Sequence, residues 1–156
     1  MVDSRQKGAR AELDLAKKLS RDTHYTWKRV PASGALHQSH GLKGDIYIPQ
    51  HVNTYSVEVK HYKDQQFTTK ILTDKNPIFM EWWEQASRQA DQTGKLPLLF
   101  FKHDRSKWFV CGEVDTMGWW KDCKRGFVLF PEDLVVVEYT EFITHCVPNM
   151  EFTDEQ

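Results

Sequence analysis

Apolar residues first recur at helical spacing. Leu13, Ala16 and Leu19 lie in a run of good helix formers from Ser4 to about Arg21, which Asp3 or Ser4 could cap. The period then changes. His24-Tyr25-Thr26-Trp27-Lys28-Arg29-Val30 has the aromatic and β-branched content of a strand ended by Pro31, and a long loop, Ala32 to Lys43, follows. Asp45-Ile46-Tyr47-Ile48 predicts a short strand closed by Pro49, and Thr54 to Tyr62 a longer one. Only Gln50-His51-Val52-Asn53 separates them, so they are expected to pair as an antiparallel hairpin. Alternation along the second strand turns Val57 and Val59 one way and Glu58 with Lys60 the other.

Beyond a polar stretch, Ile78 to Gln92 predicts a second helix with Phe79, Trp82, Trp83, Ala86 and Ala90 on its apolar face. Leu96-Pro97-Leu98-Leu99-Phe100-Phe101 suits a buried strand. Lys107 to Val114, Phe127 to Phe130 and Leu134 to Val137 are further strand candidates. Together these predict an α/β domain, a mixed central sheet flanked by helices, over residues 1–148. The acidic end, residues 149–156, is expected to be a flexible tail. No repeat, low-complexity segment or linker interrupts the chain.

At 156 residues, 40% hydrophobic and 13% aromatic, one core is expected, folding without metal or disulfide staples. Cys111, Cys123 and Cys146 are odd in number and widely spaced, which argues against a disulfide framework or a structural zinc site and fits a reducing cytosol. No apolar run approaches the roughly 20 residues of a membrane span. The first residues lead into a charged helix rather than a signal peptide, so a soluble cytoplasmic protein is expected. The net charge of −1 conceals polarity. Residues 1–75 hold 13 Lys/Arg against 8 Asp/Glu, and residues 76–156 hold 8 against 14. The basic surplus accompanies the hairpin.

That hairpin carries the candidate chemistry. Hydrolysis of a phosphodiester calls for a divalent ion to stabilise developing charge and to activate water, and Mg²⁺ prefers carboxylate oxygens. Asp45 and Glu58 supply two carboxylates. Lys60 on the same face supplies a cation for the scissile phosphate and the attacking water. On these residues alone, Asp45 can equally be a turn residue after Gly44, with Glu58 and Lys60 an exposed strand face. The loop from Ala32 through Lys43 suits a phosphate-binding flap or an ordinary connection. His37 and His40 form H-x-x-H without a third ligand nearby. His61 points away from Lys60, and Trp82-Trp83 and Trp119-Trp120 fit core and interface better than base stacking.

The order of motifs resembles the PD-(D/E)xK nuclease superfamily, and within it the archaeal-type Holliday junction resolvases and their viral relatives. The likeness runs through Lys7-Gly8-Ala9-Arg10-Ala11-Glu12, Arg29-Val30-Pro31-Ala32-Ser33-Gly34-Ala35, Gly44-Asp45-Ile46 and Val57-Glu58-Val59-Lys60, reaching about Ala90. It implies a restriction-endonuclease-like fold, with Asp45, Glu58 and Glu12 at a Mg²⁺ site that Mn²⁺ can also fill and Lys60 as the catalytic lysine. DNA contacts fall to Arg29 and Ser33, and with them Lys7, Arg10 and Lys43. The implied activity is hydrolysis of branched or duplex DNA by a homodimer that makes paired cuts at four-way junctions, away from membranes and in the host cytoplasm if viral. Another DNA-processing nuclease of the same core (flap, nicking or restriction-like) would share every site residue, and a relic DNA-binding module is the non-enzymatic alternative. The sequence departs from the superfamily name in having Gly44, not proline, before Asp45. Gln85 is followed four residues on by Gln89, which leaves the glutamine–tyrosine pattern of some exonuclease relatives incomplete.

Overall fold

A computed structural model describes residues 4–31 and 44–154. The expected loop with Ser33, His37, His40 and Lys43 lies outside the described residues. Helix α1 (Ser4–Asp22) leads into strand β1 (Lys28–Arg29). The strands that follow are β2 (Ile46–Tyr47), β3 (Tyr55–Tyr62), β4 (Leu96–His103), β5 (Phe109–Glu113), β6 (Phe127–Leu129) and β7 (Leu134–Glu138). They form one seven-stranded sheet in the order β1-β2-β3-β4-β5-β7-β6. Only β3 and β4 pair in parallel, with Glu58 opposite Leu99 and Lys60 opposite Phe101; every other pair is antiparallel. A parallel pair needs a crossover. Helices α2 (Lys70–Thr73) and α3 (Ile78–Gln92) supply it.

The two-residue period of the strands divides the core into two. Val57, Val59, Leu98, Phe100, Val110, Val135 and Val137 face α1, where Ala11, Leu15, Ala16 and Leu19 fill the space. Leu99, Phe101, Cys111, Leu134 and Val136 face α3 and meet Phe79, Trp82 and Trp83. The mixed sheet flanked by helices is the expected class, and β3 is buried along most of its length because helices cover both faces. Among the described residues no helix is long and apolar enough to cross a membrane.

Two local expectations are corrected, and a stretch that the pattern left unassigned takes shape. The strand expected from His24 to Val30 shrinks to Lys28–Arg29. Side chains hold its first half in a turn: Ser20 Oγ accepts from Trp27 N at 2.8 Å, and Thr23 Oγ1 accepts from Tyr25 N at 3.3 Å and Trp27 Nε1 at 3.1 Å. Short hydroxyl side chains offer backbone groups partners outside a ladder. The unassigned stretch after β7 forms an α turn (Tyr139–Glu141), a π-type segment (Phe142–Cys146) and a 3₁₀ turn (Val147–Asn149), seating Tyr139, Phe142 and Cys146 on the α1 side of the sheet.

The second correction is the tail, which is anchored through Asp154. Phe152 is 2% exposed among the rings of Tyr25, Trp27 and Tyr55, and Thr153 bridges Asn53. Phe152 O accepts from Thr54 N at 3.0 Å and Val52 O from Asp154 N at 2.8 Å. One buried phenyl ring outweighs the acidic residues around it. Phe152→Ala is therefore expected to lower stability by about 3–5 kcal/mol, read as a lower urea midpoint at unchanged slope. A free tail would leave the midpoint where it is.

Candidate active site

The hairpin forms as expected, with Ile46 opposite Val57 in antiparallel register. Its loop is closed by Asn53, whose Oδ1 accepts from Ile48 N at 2.8 Å while Nδ2 donates to Ile48 O at 2.9 Å. Asp45, one residue before β2, is fixed through backbone and side chain together. Its N–H donates to Val57 O at 2.7 Å, its carbonyl accepts from Val30 N at 2.9 Å, and Oδ2 accepts from Val59 N at 2.7 Å.

Gly44 makes this possible and accounts for the missing proline. Its φ is +87°, and a Cβ there would lie 2.6 Å from Val57 O. Proline is confined to φ near −65° and lacks an N–H. Here the Gly44 N–H is used, donating to Gln89 Oε1 at 3.1 Å. Gly44→Pro, although it restores the superfamily letters, is expected to lower the melting temperature and abolish nuclease activity, checked by thermal unfolding beside a cleavage assay.

Glu58 and Lys60 share the face of β3 that looks toward α3, as the alternation predicts. Glu58 is 3% exposed; its Oε1 stands 3.9 Å from Lys60 Nζ, and its Oε2 is buried with no hydrogen-bond partner. Lys60 Nζ donates to Gln85 Oε1 at 2.8 Å, which aims the ammonium back over Glu58. Glu12 on α1 accepts from Arg29 Nε at 3.4 Å. Asp45 interacts with both glutamates. Burial and then the Asp45 charge push Glu58 up to about 8 and Glu12 up to about 7, while burial raises Asp45.

The structure thus brings Glu12, Asp45, Glu58 and Lys60 into one interacting group and sets Arg29 at its rim. Arg10 is exposed on α1. Lys7 is committed elsewhere, 2.6 Å from Asp104, which His61 Nε2 also approaches at 2.9 Å. Ser33 and Lys43 lie outside the described residues. Gln85 and Gln89 have roles that the sequence reading missed. Their spacing of one helical turn was the available signal, since i and i+4 share a face.

The carboxylate oxygens fit a hard divalent cation. Glu58 Oε2 lacks any other partner, and acidic groups raised by burial and then by neighbouring negative charge are relieved by a cation. Among the described residues no three His, Cys, Asp or Glu side chains are arranged to hold a metal by themselves. Two carboxylates completed by water and phosphate oxygens are the usual Mg²⁺ arrangement.

A half-buried aspartate at the start of one strand, facing a buried glutamate and a lysine on its neighbour in a mixed α/β sheet, defines a PD-(D/E)xK nuclease of restriction-endonuclease-like fold. The chain belongs to the family described as "Phage putative PDDEXK endonuclease", which matches residues 3–129. It is 44% identical over 112 residues to Protein D14 of Escherichia phage T5, covering 70% of each chain. Among solved structures it is similar to Hjc, a Holliday junction resolvase of Archaeoglobus fulgidus. There the TM-score is 0.43 and the identity 19%, over 86% of this chain and 91% of that one.

The raised acids make a prediction for the metal-free protein. Between the ordinary 4.5 and about 8, folded Glu58 keeps a proton that the unfolded chain has released. That contribution is complete below about 4.5 and lost as pH rises to about 8; Glu12 adds to it up to about 7. In EDTA the denaturation midpoint should fall across this window. Glu58→Gln should flatten the fall, and Mg²⁺ should offset it at pH 8. A midpoint that rises through the window would refute the assignment.

Proposed function

We propose that this nuclease is a divalent-metal-dependent endodeoxyribonuclease that resolves four-way DNA junctions by paired cuts, acting as a homodimer in DNA recombination and repair within the host cytoplasm. The observation that supports the chemistry is Glu58: a buried carboxylate with a partnerless oxygen, against Asp45 and beneath a lysine.

In this reading Asp45 and Glu58 hold Mg²⁺, or Mn²⁺ in its place, and Glu12 adds a third acidic group beside Asp45. The ion, when bound, neutralises charge on the phosphate and lowers the pKa of a water nucleophile. Asp45 is held in position by Val59 N–H and by the two backbone bonds that join it to the sheet. Lys60, steadied by Gln85, presents its ammonium to a non-bridging phosphate oxygen and to the attacking water, where fixed positive charge lowers the barrier. Arg29 keeps Glu12 oriented through its Nε and turns the rest of a half-exposed guanidinium toward the DNA backbone. Arg10, exposed on α1, is assigned a backbone contact by the resemblance alone. Lys7 must leave Asp104 before it reaches a phosphate.

Specificity for a junction rests on the order of motifs shared with junction resolvases and on the symmetry of the substrate. A four-way junction is close to two-fold symmetric, which suits a C₂ pair of sites. The test is cleavage of labelled four-way junction, linear duplex, flap and single strand, with Mg²⁺ and with Ca²⁺. Junction cutting with Mg²⁺ is expected. Lys60→Ala should slow it by roughly 100- to 1,000-fold and Asp45→Asn should abolish it. Equal cutting of all four substrates would remove the junction assignment, and undiminished cutting by Asp45→Asn would remove the site.

A further inference from the structure

Helix α1 and the edge strand β1 enclose a groove of about 540 Å³. Leu13, Ala16 and Lys17 share one stripe of α1, because positions three and four apart align on a helix, and Trp27, Lys28 and Arg29 form the facing wall. Three cations thus line a single channel, and no acidic side chain is among its described lining residues. Lys17 and Lys28 are exposed and form no ion pair with any described residue. Elsewhere the balance differs. The groove beside β6 sets Arg125 against Glu138, and the one along α3 sets Arg88 against Glu84 and Asp91. In a chain of net charge −1, cations gathered without acids are a local concentration of charge.

The groove joins the acidic group through Arg29, which lines it and also donates from Nε to Glu12 Oε2 at 3.4 Å. Lys17 follows Glu12 by five residues on the same helix, roughly 7–8 Å of axial rise. A duplex strand advances about 3.4 Å per nucleotide, so that rise corresponds to about two nucleotides. Between the cations Leu13 is 46% exposed and offers aliphatic surface to a sugar.

We infer that this groove holds the phosphate backbone of the DNA arm beside the cut, with Lys28 and Lys17 on phosphates about two nucleotides from the one at Asp45 and Glu58. The occupant follows from charge complementarity. A chain with one negative charge at every nucleotide matches cations strung along a channel that opens at the site of hydrolysis. Such contacts position the backbone and read no sequence. The contact set rests on the nuclease reading for its ligand, and binding and cutting are read separately so that the two can be told apart.

The test is binding of labelled four-way junction and of linear duplex in Ca²⁺ across a salt series, beside cleavage in Mg²⁺. The parent's log affinity should fall linearly with log salt as counterions are released. Lys17→Ala with Lys28→Ala should weaken both complexes by roughly tenfold at about 0.1 M salt and reduce the slope by about 2, close to one per lost phosphate contact. Lys17→Arg with Lys28→Arg should keep the parent slope. Lys121→Ala with Lys124→Ala removes the same charge beside the far edge of the sheet and should leave the slope unchanged. All these side chains are exposed, so the thermal midpoints should match the parent's. An unchanged slope in the first alanine pair, or an equal loss in the Lys121 and Lys124 pair, would overturn the groove and leave the nuclease reading standing. A parent chain that binds with the expected slopes but cuts nothing would overturn the nuclease reading alone, and one that binds no DNA would overturn both.

Discussion

The hold on Asp45 is the constraint on which the rest of this structure depends. Its amide, its carbonyl and its carboxylate are each bonded to a different backbone group, on Val57, Val30 and Val59. The residue therefore carries the hydrogen bonding of the sheet from β3 across to the segment after β1, although it belongs to neither strand. The left-handed turn at Gly44 delivers it there, and Gln89 on α3 holds that turn by its N–H. A side chain fixed this way cannot relax away from the neighbouring carboxylates. Glu58 and Glu12 stay where burial, and then the Asp45 charge, raises them because Asp45 does not move.

Such a site stores unfavourable electrostatics, and the surrounding fold must offset them. Three devices limit the cost. Lys60 stands close enough to Glu58 to oppose its charge, Arg29 opposes that of Glu12, and protonation of the raised acids removes charge at neutral pH. None of them satisfies Glu58 Oε2. The aliphatic packing of Val57 and Val59 on α1 holds β3 from one face while Gln85 and the tryptophans of α3 hold it from the other. The same strand thus serves as core on one side and carries the Glu58–Lys60 pair on the other. That division follows from the two-residue period of an extended chain.

The period also explains what the sequence made legible. The α3 helix and its five buried residues follow from a single amphipathic pattern. The pairing of β2 with β3 follows from a short turn between alternating segments, and the shared face of Glu58 and Lys60 from parity alone. Less legible were features set by side chains reaching the backbone. Ser20 and Thr23 shorten β1, and Asn53 shapes the hairpin loop from a buried position. The tail was misread because charge dominated its composition while one ring, Phe152, set its position. Gln85 and Gln89 were visible as residues but not as partners. Their roles depend on how α3 lies across β3, which no local pattern encodes.

Charge separation along the chain needs the same refinement. The basic surplus of residues 1–75 suggested a nucleic-acid surface, but several of those cations and others nearby are engaged in holding the fold. Lys7 pairs with Asp104, Arg21 with Asp22, and Lys18 lies over Tyr139; in the second half Lys95 donates to Asn53 O. Arg10, Lys17 and Lys28 remain exposed on α1 and β1, and Arg29 is paired with Glu12. Lys17, Lys28 and Arg29 line one shallow groove between α1 and β1. Long-range attraction of a polyanion depends on net surplus, whereas its final register depends on cations free to meet phosphates. Lys7, Lys18 and Lys95, engaged with Asp104, Tyr139 and Asn53, add to the field of the chain without being free to meet a second partner.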